Sequence, residues 1–276
     1  MASPSDLTEI ARRIRVSALD MIYRAQSGHP GGSFSETEIL VALYFGGVLR
    51  VDPKNPSWPD RDRFIVSKGH ASPGVYAALA EKGFFPKDET KGFRAIDSLL
   101  QGHVDTKVPG VEFSAGSLGQ GLSFGVGCAL AARMDGKSWR TFVLLGDGEL
   151  QEGQCWEAAM TAAHFKLDNL TAIVDRNGIQ NDWFVKETKD LGNVAAKFAS
   201  FGWHAVECEG HDVGALVATL QAVDRVKGKP RVVVANTVKG KGVSYMENNP
   251  DYHGKSPNEA DYRKALVELG AAGGGR

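Results

Sequence analysis

Five short apolar runs separated by helix-length stretches, at residues 64–66, 141–145, 170–174, 204–207 and 231–236, constrain this chain more than any other feature. The central runs are nearly continuous in Val, Ile, Leu and Phe instead of alternating, which is how strands buried on both faces read. Helical spacing predicts helices at 7–23, 35–44, 73–82, 118–133, 155–165, 194–201, 213–223 and 259–269. Strands alternating with helices predict an α/β fold, a doubly wound parallel sheet with helices on both faces. Ligands of such folds sit at the carboxyl ends of strands, so chemistry is expected directly after Leu145, Val174 and Asn236.

Local signals refine the ends. Asp6 is placed to cap the first helix, Gly28 lies beyond its end, and Ser35 with Glu38 has the spacing of a capping box. No repeat or linker divides the chain, so one domain is expected over 1–270, followed by a disordered Gly-rich tail at 271–276. A net charge of −1 with scattered basic residues argues against a nucleic-acid partner. No apolar run approaches the roughly 18 to 20 residues that span a bilayer, and no signal-like pattern opens the chain, so a cytoplasmic protein is expected. Cys128, Cys155 and Cys208 have no metal-ligand spacing and read as reduced thiols.

The strand 141–145 runs into Gly146-Asp147-Gly148, then through Glu149, Gln151 and Glu152 into a helix. The glycines let backbone approach a ligand, and amides at the helix start can hold phosphate oxygens. An aspartate there repels phosphate unless a cation lies between them, which points to magnesium. Asn177 follows thirty positions later at the next strand end. Each string alone reads as a plain turn; the two together favour a metal site.

This pair resembles the signature of thiamine-diphosphate enzymes. The strings SGHPGG, SKGHAS, GHVD, GVEFSAGSLGQGLS, GDGELQEGQ, IVDRNGIQ and SFGWHAVECEGHD, then ANTVKGKGVSYMEN followed by YHG, recur in this order in the N-terminal part of transketolases, and the resemblance covers residues 7–269. It implies that Asp147, Asn177 and the carbonyl of Ile179 ligate magnesium, with Gly146 and Gly148 at the diphosphate. It implies roles for His29 and His103 near the donor sugar's hydroxyls, and for His70 and His253 near diphosphate and substrate. Imidazoles suit proton transfer near neutral pH. Gly116 and Leu118 would meet the cofactor's aminopyrimidine, and Glu152 would stand beside the cofactor at a subunit interface. His164, His204 and His211 lack a match and are left structural.

The family's pyrimidine-binding domain, with its activating glutamate, would follow residue 276. The resemblance therefore implies a C-terminal partner subunit, a heterotetramer with two copies of each chain, and sugar-phosphate substrates. A natural subunit or a fragment would both account for this, and Met1 with the tapering C-terminus favours the subunit. Another thiamine-diphosphate enzyme, such as a 1-deoxyxylulose-phosphate synthase or a 2-oxo-acid dehydrogenase component, and a non-catalytic cofactor-binding module are the alternatives. The GHVD and YHG strings favour transketolase. One departure stands out: Asn181-Asp182-Trp183 replaces the family's Asp-Gly turn, which puts the local turn in doubt.

Overall fold

The computed structural model describes residues 4–271. Strands β1 (Arg63–Val66), β2 (Thr141–Gly146), β3 (Leu170–Arg176), β4 (His204–Glu209) and β5 (Arg231–Asn236) pair in parallel in the order β1-β2-β3-β5-β4. Around them lie α1 (Pro4–Ala25), α2 (Pro30–Ser35), α3 (Thr37–Tyr44), α4 (Ser72–Lys82), α5 (Gln120–Met134), α6 (Gly153–His164), α7 (Val185–Lys189), α8 (Val194–Ser200), α9 (Val213–Val223) and α10 (Glu259–Glu268). No described helix is long and apolar enough to cross a membrane.

Strand parity divides the core. Ile65, Val143, Leu145, Ala172, Val174, Val232 and Val234 face α5, α6 and α8. Their neighbours Phe64, Val66, Phe142, Leu144, Ile173, Val233 and Ala235 face α1, α3, α4 and α9. Both faces are apolar because both are covered, which explains why the strands read as runs. The steps to β2, β3 and β4 carry α5, α6 and α8 on one face, and the step back to β5 carries α9 on the other. Right-handed crossovers require that division, and it brings all the strand carboxyl ends to one edge.

Several local expectations are corrected. Asp6 lies inside the first turn of α1, which begins at Pro4, so it is not the cap. Ser35 is the last residue of α2 and makes no cap; its hydroxyl donates to Asp175 Oδ2, while Glu38 binds Arg15. Tertiary partners thus outcompete the local capping box. The helix expected at 118–133 starts at Gln120, after Gly119 turns in the left-handed region at φ +83°. β4 is an edge strand, so it tolerates Glu207 and Glu209 and runs two residues further than apolarity suggests. At the end, Ala271 N donates to Leu266 O. The rest of the tail expectation, 272–276, lies outside the described residues.

Candidate functional site

Loops from four strand ends and from the α1–α2 and α4–α5 connections surround one cavity of about 370 Å3. It is lined by His70, His103, Gly116, Leu118, Gly146, Asp147, Gly148, Glu152, Asn177, Ile179 and His253. His29 completes the wall through ring contacts with three other histidines. Close approach makes one glycine indispensable: a Cβ on Gly69 would stand 2.7 Å from the Ala115 Cβ, so only glycine lets the loop to Ala115 close over the end of β1.

One wall presents oxygen atoms. Asp147 is buried, with Oδ1 accepting from Gly148 N at 2.9 Å and Oδ2 from Gly178 N at 2.7 Å. Burial raises its pKa to about 6, against the pull of the Gly178 hydrogen bond, and the nearby Asp175 charge adds to the rise. Asn177 Oδ1 accepts from Ile179 N at 3.2 Å, and the Ile179 carbonyl accepts from Lys239 Nζ at 2.8 Å. A carboxylate, an amide oxygen and a carbonyl form a hard-oxygen set suited to a divalent cation.

Lys68 and Lys239 also line the cavity. Lys68 follows β1 and pairs with Glu36 at 2.7 Å and Asp175 at 2.8 Å. Burial works against its charge, but Asp175 and Glu36 outweigh it and hold the pKa above the ordinary lysine value. Burial lifts Glu36 to about 8 despite the Lys68 cation. Lys239, after β5, reaches His253 Nδ1 at 2.8 Å, and burial lowers its pKa to about 8. Two buried ammonium groups lining a cavity suit an anionic ligand. The signal lay in SKGH and KGKG, a lysine beside glycine just past a strand.

Glu149 accepts from Ser67 Oγ, from Gly119 N at 2.9 Å and from Gly146 N at 3.0 Å, tying the ends of β1 and β2 to the start of α5. Burial raises its pKa. Glu152 stands exposed at the rim, where it precedes α6 and makes no side-chain cap bond.

The cavity also gathers imidazoles. The His29 ring lies 5.0 Å from His70, 5.3 Å from His253 and 6.4 Å from His103, and His70 stacks on His253 at 5.3 Å. Burial, with positive neighbours behind it, lowers His29 to about 4 and His253 to about 3, and pushes His70 well below its ordinary value. His103 is lowered by partial burial and by Arg94. Each shift favours the neutral ring at pH 7. Outside the cavity wall, His211 bridges Glu38 Oε2 at 2.8 Å and Val238 N at 2.7 Å. The turn at 181–182 needs no glycine: Gln180 N donates to Trp183 O at 3.0 Å, and neither Asn181 nor Asp182 takes positive φ.

Cation uptake by this site is expected to depend on pH. Asp147 must lose its proton to bind a cation, so affinity is expected to fall toward tenfold per unit as pH drops below about 6. Lys239, which faces Asp147, stays charged below about 8. His29, at about 4, and His253, at about 3, titrate below that window. Calorimetric titration with magnesium at several pH values measures the trend, and a flat profile from pH 7 to 5 would remove Asp147 from the ligand set.

Known proteins resemble this chain along most of its length. A family model described as "Transketolase, thiamine diphosphate binding domain" matches residues 7–273. The chain is 46% identical over 243 residues to one subunit of the apulose-4-phosphate transketolase of Actinobacillus succinogenes, covering 88% of this chain and 87% of that protein. It is 41% identical over 265 residues to a 6-deoxy-6-sulfo-D-fructose transketolase subunit from a Clostridium species, covering 96% of each. The solved transketolase of Campylobacter jejuni superposes with a TM-score of 0.92 at 33% identity, over 98% of this chain and 43% of that one. Against human transketolase the identity is 38%, and the chain spans only 40% of that protein's length. The chain belongs to the transketolase family, as its thiamine-diphosphate-binding domain.

Proposed function

We propose that this chain is the N-terminal subunit of a two-chain transketolase that moves a two-carbon ketol unit from a ketose phosphate to an aldose or aldehyde acceptor. The observation that carries the reading is that a set of oxygen ligands and a cluster of imidazoles meet in one cavity. The relatives that match along nearly their whole length are themselves named as subunits, which supports a separate partner carrying the pyrimidine-binding domain. We take the assembly to contain two copies of each chain. The unpaired thiols Cys128, Cys155 and Cys208 suit a reducing cytoplasm.

The residues fit thiamine diphosphate with magnesium. Asp147, Asn177 and the Ile179 carbonyl would hold the metal, with Gly146 and Gly148 beside the diphosphate and Lys68 and Lys239 balancing its charge. Gly116 has open space where a side chain would stand, and Leu118 adds an apolar contact, so both suit a flat ring. When bound, the cofactor supplies the carbon nucleophile that accepts the ketol unit. His29 and His103 receive and return protons at the sugar hydroxyls. His70 and His253 orient the substrate next to the diphosphate, and Glu152 lies at the subunit contact. A binding module would need only the oxygen wall, so the histidines favour an enzyme.

The test is Asp147→Ala. Its side chain bonds only loop amides, so the fold is expected to persist while magnesium-dependent cofactor binding is abolished. Titration of thiamine diphosphate into the assembled protein measures this. Equal affinity in variant and wild type would defeat the metal assignment.

A further inference from the structure

Behind the cation loop, three segments distant in sequence join the end of β3 on a single carboxylate. Asp175 has no exposed surface. Its Oδ2 accepts from Ser35 Oγ at 2.6 Å, Lys68 Nζ at 2.8 Å and Asn177 Nδ2 at 3.2 Å, and its Oδ1 accepts from Thr237 Oγ1. These donors come from α2, the loop after β1, the loop after β3 and the loop after β5. We propose that Asp175 is the positioning residue of the cation site, dictating which end of the Asn177 amide faces the cavity; this role rests on Asn177 being a cation ligand.

An ionised carboxylate can only accept hydrogen bonds, so the group Asn177 turns toward it must be the NH2. The amide oxygen is thereby directed away, where it accepts from Ile179 N at 3.2 Å beside the cavity. A flipped amide would set oxygen against the carboxylate and present donors to a cation that needs oxygen. Ser35 reinforces the choice, because its hydroxyl donates to Asp175 while its oxygen accepts from Asn177 Nδ2 at 3.3 Å. Lys68 holds the carboxylate in place from the other side. Residues that orient a ligand in this way typically control metal affinity by about 10- to 100-fold.

The experiment compares magnesium-dependent thiamine-diphosphate uptake, by calorimetry on the chain assembled with its partner, for wild type, Asp175→Ala and the conservative Asp175→Asn. Asp175→Ala removes the acceptor that Asn177 faces, and uptake is expected to weaken by about 10- to 100-fold. In Asp175→Asn the amide oxygen takes the place of Oδ2, where Ser35, Lys68 and Asn177 all donate, so the orientation and most of the affinity are expected to be recovered. Undiminished uptake in Asp175→Ala overturns the proposal, as does equal loss in both variants. Orientation is read independently in the wild-type chain labelled with 15N-asparagine, where the Asn177 NH2 signal, identified by its absence in Asn177→Asp, is expected to exchange slowly with water. Rapid exchange overturns the proposal. A wild-type assembly that takes up no cofactor defeats the functional reading instead, and the amide measurement still decides the orientation.

Discussion

Supplied with thiamine diphosphate, magnesium and a ketose phosphate, the purified chain alone is expected to turn over no substrate, and to gain activity when its pyrimidine-domain partner is added. The described cavity offers oxygen ligands, ammonium groups and imidazoles. Its buried carboxylates are already committed: Asp147 to the amides of Gly148 and Gly178, and Glu149 to Ser67, Gly119 and Gly146. The glutamate that activates the aminopyrimidine is assigned to the partner. Losing a single general acid–base group costs on the order of 100- to 10,000-fold, and on the split-enzyme reading the partner's share of the site is needed as well, so activity below detection is the expectation. Trp183, Met160 and Phe124 remain 48%, 50% and 40% exposed on the isolated chain, which is apolar surface that association would cover. Assays of the two chains separately and of their mixture decide the matter; robust turnover by this chain by itself would end the split-enzyme reading.

A loss of similar scale is expected within the assembled enzyme when His103 or His29 becomes alanine. Turnover should fall by roughly 100- to 10,000-fold while cofactor affinity changes little, since neither ring belongs to the oxygen set proposed to hold the cation. His29 carries a buried Nδ1 without a hydrogen-bond partner among the described residues, and burial lowers its pKa to about 4, so the ring is neutral at pH 7. The His103 loop is held by its backbone oxygen, which accepts from Tyr76 OH at 2.8 Å, so removing the imidazole leaves that anchor. Steady-state kinetics with varied donor, alongside cofactor titration, separate the two effects. Donor kinetics untouched in His103→Ala would withdraw its role.

The sheet was legible because burial on both faces leaves continuous apolar runs, and its topology follows from right-handed crossovers. The placement of the histidines was legible too, because each adjoins a glycine in a recognisable string. What escaped was set by partners far along the chain. Ser35 and Glu38 have capping-box spacing, yet their hydroxyl and carboxylate are taken by Asp175 and by Arg15 with His211. Lys68 and Lys239 look like solvated lysines after a strand, and only the carboxylates and carbonyl that close around them in three dimensions give them another role. Asp175 reads as an ordinary polar strand end, and nothing local marks it as a meeting point for four segments.

The cavity draws on residues from His29 to His253, with its walls supplied by loops at nearly every strand end. A growing polypeptide emerging from the ribosome therefore cannot close the pocket until the segment after β5 has been made and packed. The parallel sheet enforces the same order, since β5 inserts between β3 and β4. Such non-local pairing forms late and slowly. Prematurely terminated chains would bury part of the sheet yet capture no cofactor, so a loaded cofactor reports that translation and folding have both run past residue 253.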